Sequence, residues 1–391
     1  VAMVDYAGTW QTSNVTVSPN GSEKIGGVAE DATLNIEGQS VTFVYIDGTQ
    51  GWVNVLDSTS NVTGVPPYPQ ATVTGACNTL TVAPCCANYK IATFLNPGTF
   101  CVSSVSGTPA NDTADYLVVA GGASGGIRSP GNGNAGGGAG GLRYSFATYT
   151  SPPSAPSHPI GSPTGKVLTV QGYPIVVGGG GAAIPALPSP TAARGNSGDT
   201  SSGLCISSAG GGGGGAGSNS PPTGPGGPGG SGGGGGGGSP SGIAAGTGNT
   251  PPTSPPQGKD GGVAGPTSPD AQSGGGGGAI ACGGASTPSA NGAGGAGAGF
   301  TGAFGTAAGQ PCGSYRYFAG GGGSSDSPLP APRQPGGVGG GGHGGQPGSS
   351  AASGTANTGG GGGGGTSTPP APGGTSGGGG SGVVIIRYRF Q

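Results

Sequence analysis

Gly232-Gly233-Gly234-Gly235-Gly236-Gly237-Gly238 is the stretch on which the fold turns. Similar blocks follow at Gly210–Gly215, Gly274–Gly278, Gly339–Gly342 and Gly359–Gly365, and glycine makes up 102 of the 391 residues. A free polyglycine chain stays disordered, because ordering Gly costs more backbone entropy than ordering any other residue. The other use of such a run is structural. Polyproline II helices without side chains can lie so close that backbone N–H and C=O groups pair between them, the steric logic that puts Gly at the axis of collagen. Short apolar strands, Tyr–Arg–Phe clusters and proline-rich turns between the blocks favour the structural use. The spacing is quasi-periodic and lacks strict Gly-X-Y order, which argues against a collagen triple helix.

Composition narrows the function classes. Charged residues are 6 % of the chain, against roughly 25 % in ordinary globular domains. Leu, Ile, Val and Phe are too few for one large oily core, so order must come from backbone hydrogen bonds and close packing of Gly and Ala. The net charge of −2 leaves no electrostatic footprint for nucleic acid or anionic lipid. No stretch approaches the ~20 apolar residues of a membrane span, and no signal peptide is recognisable. The start at Val1 rather than Met reads as a fragment or a processed product.

Three regions separate along the chain. Residues 1–65 read as a β module, with strands at Asn14–Val17 and Ser40–Ile46 and turns at Asn20-Gly21, Glu37-Gly38 and Asp47-Gly48. Trp10 and Trp52 are expected to fill its core. Residues 66–115 read as a stiff Pro66-Pro67-Tyr68-Pro69 linker and a small β element, with Asn96-Pro97-Gly98 as a hairpin turn. Residues 116–391 read as a glycine-rich domain of packed polyproline II helices with a few strands. It opens with Tyr116-Leu117-Val118-Val119-Ala120-Gly121-Gly122 and closes with Gly382-Val383-Val384-Ile385-Ile386-Arg387-Tyr388-Arg389-Phe390. These two strands are expected to pair or to flank one sheet, clamping the domain. Val167–Val170 and Pro174–Val177 read as two more strands. The fold class is therefore mainly β plus polyproline II. About eleven tracts are expected, each spanning roughly 30 Å if ten residues long.

The chemistry-bearing residues are sparse. Seven cysteines are present, Cys77, Cys85, Cys86, Cys101, Cys205, Cys282 and Cys312, without a Cys-x-x-Cys. They read first as small buried hydrophobes and second as disulfide partners. With only His158 and His343 besides, no metal site is expected. The glycine runs lack the Gly-Lys-Ser/Thr ending of a phosphate loop, so no nucleotide cofactor is expected. Asp112 and Asp115 read as solvated turn residues rather than a catalytic carboxylate pair, and no catalytic residue is assigned. The Pro-rich segments 151–163, 250–256 and 327–335 read as stiff exposed turns.

Tyr116–Gly122, Gly136–Arg143, Gly172–Gly181 and Ser381–Tyr388 together resemble the glycine-rich domains of tail fibre proteins of tailed bacteriophages, of the marine and cyanobacterial phage type. Val4–Trp10, Glu37–Thr42 and Thr49–Trp52 resemble a small β module that precedes such domains. The resemblance covers nearly all the chain. It implies a non-enzymatic virion structural protein, a tail fibre or fibre-tip adhesin, trimeric in its shaft. It also implies a layered polyproline II bundle whose distal loops touch the host. The implied partners are a host cell-surface glycan or outer-membrane protein and other tail proteins, with no nucleic acid and no membrane insertion. The implied location is the virion and, after release, the extracellular medium. The cysteines are not part of the family pattern.

Aromatic and Arg-rich inserts are the natural contact residues on a glycine scaffold. Two stand out: Arg143, Tyr144, Phe146 and Tyr149 running on to His158, and Phe300 and Phe304 with Tyr315, Arg316 and Tyr317. The competing reading is that these side chains anchor the inserts or fill a subunit interface. Two other functions fit the composition: a purely structural fibre or capsid-decorating component, and an ice-binding or extracellular-matrix protein with a flat Ala/Thr face.

Overall fold

A computed structural model describes residues 1–58, 68–84, 86–129, 133–149, 154–155, 160–188, 190–217, 223–238, 243–265, 272–288, 290–325, 334–366 and 374–391. The chain is mainly β, with a single turn of α-helix at Pro109–Asp112 and one of 3-10 helix at Gly302–Phe304 among the described residues. It divides into two units, Val1–Pro66 and Pro67–Gln391.

The first unit holds β1 (Ala2–Val4), β2 (Val15–Val17), β3 (Ala32–Leu34), β4 (Ser40–Asp47) and β5 (Gly51–Asp57). A three-stranded sheet runs in the order β1-β4-β5, and β2 pairs with β3. Alternation along β4 points Val41 and Phe43 inward, where they meet Leu34. Trp10 and Trp52 are half-buried against this small core rather than at its centre. Trp52 keeps one edge out because its indole N–H donates to Glu23 Oε2 at 2.9 Å.

The second unit begins with β6 (Gln70–Val73), β7 (Thr79–Ala83), β8 (Cys86–Phe94), β9 (Gly98–Ser104) and β10 (Thr113–Val119). It continues with β11 (Ile127–Ser129), β12 (Leu142–Ser145), β13 (Ser154–Ala155), β14 (Gly161–Ser162), β15 (Lys166–Val167), β16 (Gln171–Ile175) and β17 (Thr191–Ala193). Last come β18 (Ser201–Gly203), β19 (Ile206–Ser208), β20 (Ala298–Phe300), β21 (Gln310–Cys312), β22 (Tyr315–Phe318) and β23 (Val383–Arg389). The bracketing strands β10 and β23 pair antiparallel, Val119 opposite Val383 and Leu117 opposite Ile385. They are the centre of a seven-stranded sheet ordered β14-β12-β10-β23-β8-β7, with β15 also on β10.

Both faces of this sheet are covered, which is why its central strands read as unbroken apolar runs. Leu117, Val119, Val383 and Ile385 face Tyr144, Phe300, Phe304 and Phe318. Tyr116, Val118, Val384, Ile386 and Tyr388 face Phe100, Val102, Tyr173 and Ile175, carried by a second sheet ordered β16-β9-β6. Residues 68–115 are thus not a separate element, because β8 is hydrogen-bonded to β23. Nor is Asn96-Pro97-Gly98 a hairpin turn, since β8 and β9 lie in different sheets. The chain crosses between the sheets at two touching corners. A Cβ at Gly98 would collide with the Thr74 carbonyl, and Asn78 ties the corners by donating to Thr74 O and accepting from the N–H groups of Leu95 and Asn96. The expected strand at Val167–Val170 shrinks to β15, and the one at Pro174–Val177 is shifted back to β16. The Pro66-Pro67 linker lies outside the described residues.

The glycine tracts follow another rule. Successive N–H groups of residues 121–126 turn through three neighbours in order. Gly121 and Ser124 donate to Asp199 and Asn196, Gly122 and Gly125 to Gly380 and Gly377, and Ala123 and Gly126 to Gly138 and Ala135, all at 2.9–3.0 Å. The carbonyls of Gly121 and Ser124 accept from Gly211 and Gly214, those of Ala123 and Gly126 from Gly362 and Gly365, and that of Gly122 from Gly181. This tract therefore bonds six neighbouring segments, five of them reached at every third residue and the sixth, at Gly181, by one bond. The 135–141 tract repeats the pattern, with Ala135, Gly138 and Gly141 donating to Gly215, Gly212 and Ala209. Residues 121–127, 133–141, 211–217, 231–238, 272–279, 319–325 and 358–366 are all buried. A Cβ built at most interior glycines would stand within 3.0 Å of a neighbour's backbone. Glycine is required there by close approach, and the backbone hydrogen bonds offset the entropy of ordering it.

Candidate functional site

The two ends of the tract lattice differ. At one end the tracts meet the sheets: Ala120 donates to Gly141 O, Gly141 to Ala209 O, Ala319 to Thr358 O and Gly382 to Gly178 O, beside β10, β12, β22 and β23. The other end is marked by Gly126 donating to Ala135 O, Ala135 to Gly215 O, Gly215 to Gly234 O, Gly345 to Gly364 O and Ser376 to Ile184 O. The tracts flanking residues 128–133, 185–193, 218–222, 239–242, 266–271, 287–290, 326–333, 346–350 and 367–373 all terminate at this second end. Those segments are rich in Ser, Thr and Pro.

The aromatic and Arg-rich inserts belong to the first end: Arg143 and Tyr144 are on β12, Phe300 on β20 and Tyr315, Arg316 and Tyr317 on β22, whereas Phe146 and Tyr149 follow β12 in a turn and Phe304 ends the 3-10 helix. Tyr144 and Phe300 meet edge-to-face at 4.8 Å, and Phe300 meets Phe304 at 5.5 Å and Phe318 at 6.0 Å. Such pairs contribute about 0.5–1.5 kcal/mol beyond burial. Tyr144, Phe300 and Phe304 are almost fully buried, which removes them from contact with any partner surface. They form the core beneath the seven-stranded sheet, the competing reading of the inserts. Phe146 is half-buried against the same core. Tyr149 is half-buried and donates its hydroxyl to Ala303 O at 3.1 Å. Arg143 is half-buried, its guanidinium 3.3 Å from Ser207 O. Burial lifts the Tyr116 phenol above its ordinary range, while the charge of Arg143 pulls the other way. Tyr315, Arg316 and Tyr317 are half-buried on β22, with the two Tyr rings edge-to-face at 6.2 Å. Tyr317 covers Gly299, where a Cβ would strike its ring. His158 lies outside the described residues.

A polar cluster that the sequence reading missed sits in the same sheet. Asp112 and Asp115 are buried, not solvated. Asp112 accepts from Ser106 N at 2.7 Å. Asp115 accepts from Ser145 Oγ at 2.7 Å, from the N–H groups of Ala147 and Thr148 at 2.7 and 3.1 Å, and from the Thr148 hydroxyl. Arg387 is its cation, 3.8 Å away, bonded also to the Thr148 hydroxyl and stacked between Tyr89 at 3.5 Å and Tyr149 at 4.1 Å. The arrangement neutralises a buried carboxylate and joins β10, β12, β23 and the 147–149 turn.

Cys77, Cys205, Cys282 and Cys312 are exposed free thiols and Cys101 is half-buried, so these five are not the buried hydrophobes expected. Cys85 lies outside the described residues. The 250–256 segment is held at the sheet end. Asn249 Oδ1 accepts from Thr253 N and Gln257 N, and Gln257 donates to Pro251 O, leaving Pro251, Pro252, Ser254 and Pro256 exposed. Described residues that position the connecting end include Asn134, whose side chain accepts from Gly217 N and donates to Gly365 O, and Ser376, which accepts from Ile184 N.

No curated protein matches this chain. The glycine-rich domain family matches residues 96–389, from the corner before β9 to the end of β23, and the chain belongs to that family.

Proposed function

We propose that this chain is a surface-recognition component of a tailed-phage fibre, a tail fibre or fibre-tip adhesin. In this reading the glycine tracts are polyproline II helices, whose three residues per turn match the repeat of hydrogen-bond partners at every third residue. The lattice is a rigid holder, and the Ser-, Thr- and Pro-rich segments at its connecting end are the contact elements. The observation that carries the reading is that so many tract ends converge at one end, opposite the sheets. Loops on a rigid scaffold are where binding residues concentrate, and backbone-to-backbone bonding lets those segments vary without disturbing the lattice. The partner is a host cell-surface glycan or outer-membrane protein, and the protein acts on the virion as a homotrimer.

The test is binding of the labelled full chain to a panel of marine bacteria and cyanobacteria. Residues 326–333 and 367–373 are replaced, separately, by Gly-Ser segments of equal length. Saturable, strain-specific binding that one of these replacements removes supports the adhesin. A folded chain in its native oligomer that binds no strain supports a purely structural fibre component instead.

A further inference from the structure

Among the described residues of the connecting end the charged side chains are Arg128 and Arg194. They share one small ribbon. β11 and β17 pair antiparallel with Arg128 opposite Ala192, and Arg194 follows β17 directly, two residues along from Ala192. Residues so placed on paired strands are diagonal neighbours, roughly 7–8 Å apart at the backbone. Both border the end of the 211–217 tract. Arg128 donates to the Gly217 carbonyl, and Gly195, next to Arg194, donates to Gly214 O at 2.8 Å. Arg128 is half-buried and so fixed on one side, whereas Arg194 is exposed. A guanidinium has five donors in a planar fork, so one bond to Gly217 leaves others free. The acids nearest in sequence to this end, Asp270 and Asp326, lie outside the described residues. The tracts flanking them make no backbone bond to residues 121–127 or 194–200.

We infer that Arg128 and Arg194 form a binding site for the anionic groups of a surface polysaccharide, carboxylate or phosphate ester. Two like charges held side by side repel unless an anion lies between them, and the arginine fork fits both oxyanions in a bidentate manner. The inference rests on the reading of the connecting end as the recognition face, and it names the chemistry of what is recognised.

The experiment measures binding of the full chain to polygalacturonate, to polyglycerol phosphate and to neutral dextran at low and high salt. The expected result is retention on one or both polyanions over dextran, weakening with salt. Arg194→Gln and Arg128→Gln should each lower affinity roughly ten- to hundred-fold. Arg194→Lys, which keeps the charge but loses the fork, should fall between. Arg194 is exposed, so its variants keep the fold even if Arg128→Gln does not. Retention on polygalacturonate alone identifies a carboxylate ligand, and on polyglycerol phosphate alone a phosphate ester. Equal retention on all three polymers, or undiminished binding by Arg194→Gln, overturns the site. Cell adhesion of the same proteins separates the two proposals. A wild-type chain that adheres while Arg194→Gln adheres equally leaves the adhesin standing and removes the site. Arg-dependent polyanion binding without adhesion to any strain leaves the site and removes the adhesin.

Discussion

Asp115 and Arg387 stand directly opposite each other in the β10–β23 register, 3.8 Å apart, at 0 % and 2 % side-chain exposure. Removing one partner strands the other as a buried charge. Arg387→Met should lower the stability of the second unit by about 3–5 kcal/mol. Asp115→Asn combined with Arg387→Met should recover much of that loss. Urea unfolding of the four proteins in the cycle measures it. A single variant as stable as the parent would mean that water reaches the carboxylate.

Glycine-to-alanine changes divide by position. Gly213 is buried, and a Cβ there would overlap the Gly195 carbonyl, whereas Gly302 has open space around the same atom. Gly302→Ala should be neutral or stabilising by up to about 1 kcal/mol, through the unfolded chain. Gly213→Ala should destabilise by about 1–3 kcal/mol or more, as overpacking does. Thermal melts of the two variants suffice.

The first unit should weaken in acid through Asp5. Burial pushes its carboxyl up, but the N–H groups of Thr9, Trp10 and Gly38 outweigh burial and hold it below its ordinary 3.8. A depressed folded value means that the contribution is complete above the unfolded value and is lost as pH falls through the folded one. The melting temperature of this unit should therefore decline below about pH 4, and Asp5→Asn should flatten that decline. An NMR titration of the Asp5 carboxyl that shows an ordinary midpoint would refute it.

Tyr388 gives the opposite limb. Burial raises its phenol to about 12, opposed in part by the Ala71 backbone. A folded value above the unfolded 10.0 stabilises the fold fully below pH 10 and loses that effect as pH rises through about 12. Ultraviolet titration should show a late tyrosinate step that disappears in Tyr388→Phe.

The two bracketing strands and their place in one sheet were readable, because apolar runs such as Val383–Ile386 have few other places to go. Asp115 and Arg387 interrupt those runs at matching positions, and an antiparallel pairing of the two strands would have shown the ion pair. The inserts misled for a physical reason. Tyr144 and Phe300 carry the same aromatic signal whether a chain turns them out to a partner or in to a core, and composition holds no record of direction. The corners near Asn78 were hidden for a similar reason: Asn96-Pro97-Gly98 permits a tight turn without saying which sheets it joins. Which tract lies beside which could not be read at all. Interchangeable glycines carry no side chain to choose a neighbour, so that choice is made by hydrogen bonds such as Gly122 to Gly380.

The six-neighbour bonding of tracts such as 121–126 also governs how this unit responds to temperature. Unfolding an oily core bares hydrocarbon, and the hydration of that surface gives ordinary domains a heat-capacity increment of about 12–15 cal/mol/K per residue. Unfolding the tracts bares chiefly peptide groups, whose hydration contributes with the opposite sign. The curve of free energy against temperature should accordingly be shallow, so that the lattice keeps its rigidity over a wide span of temperature.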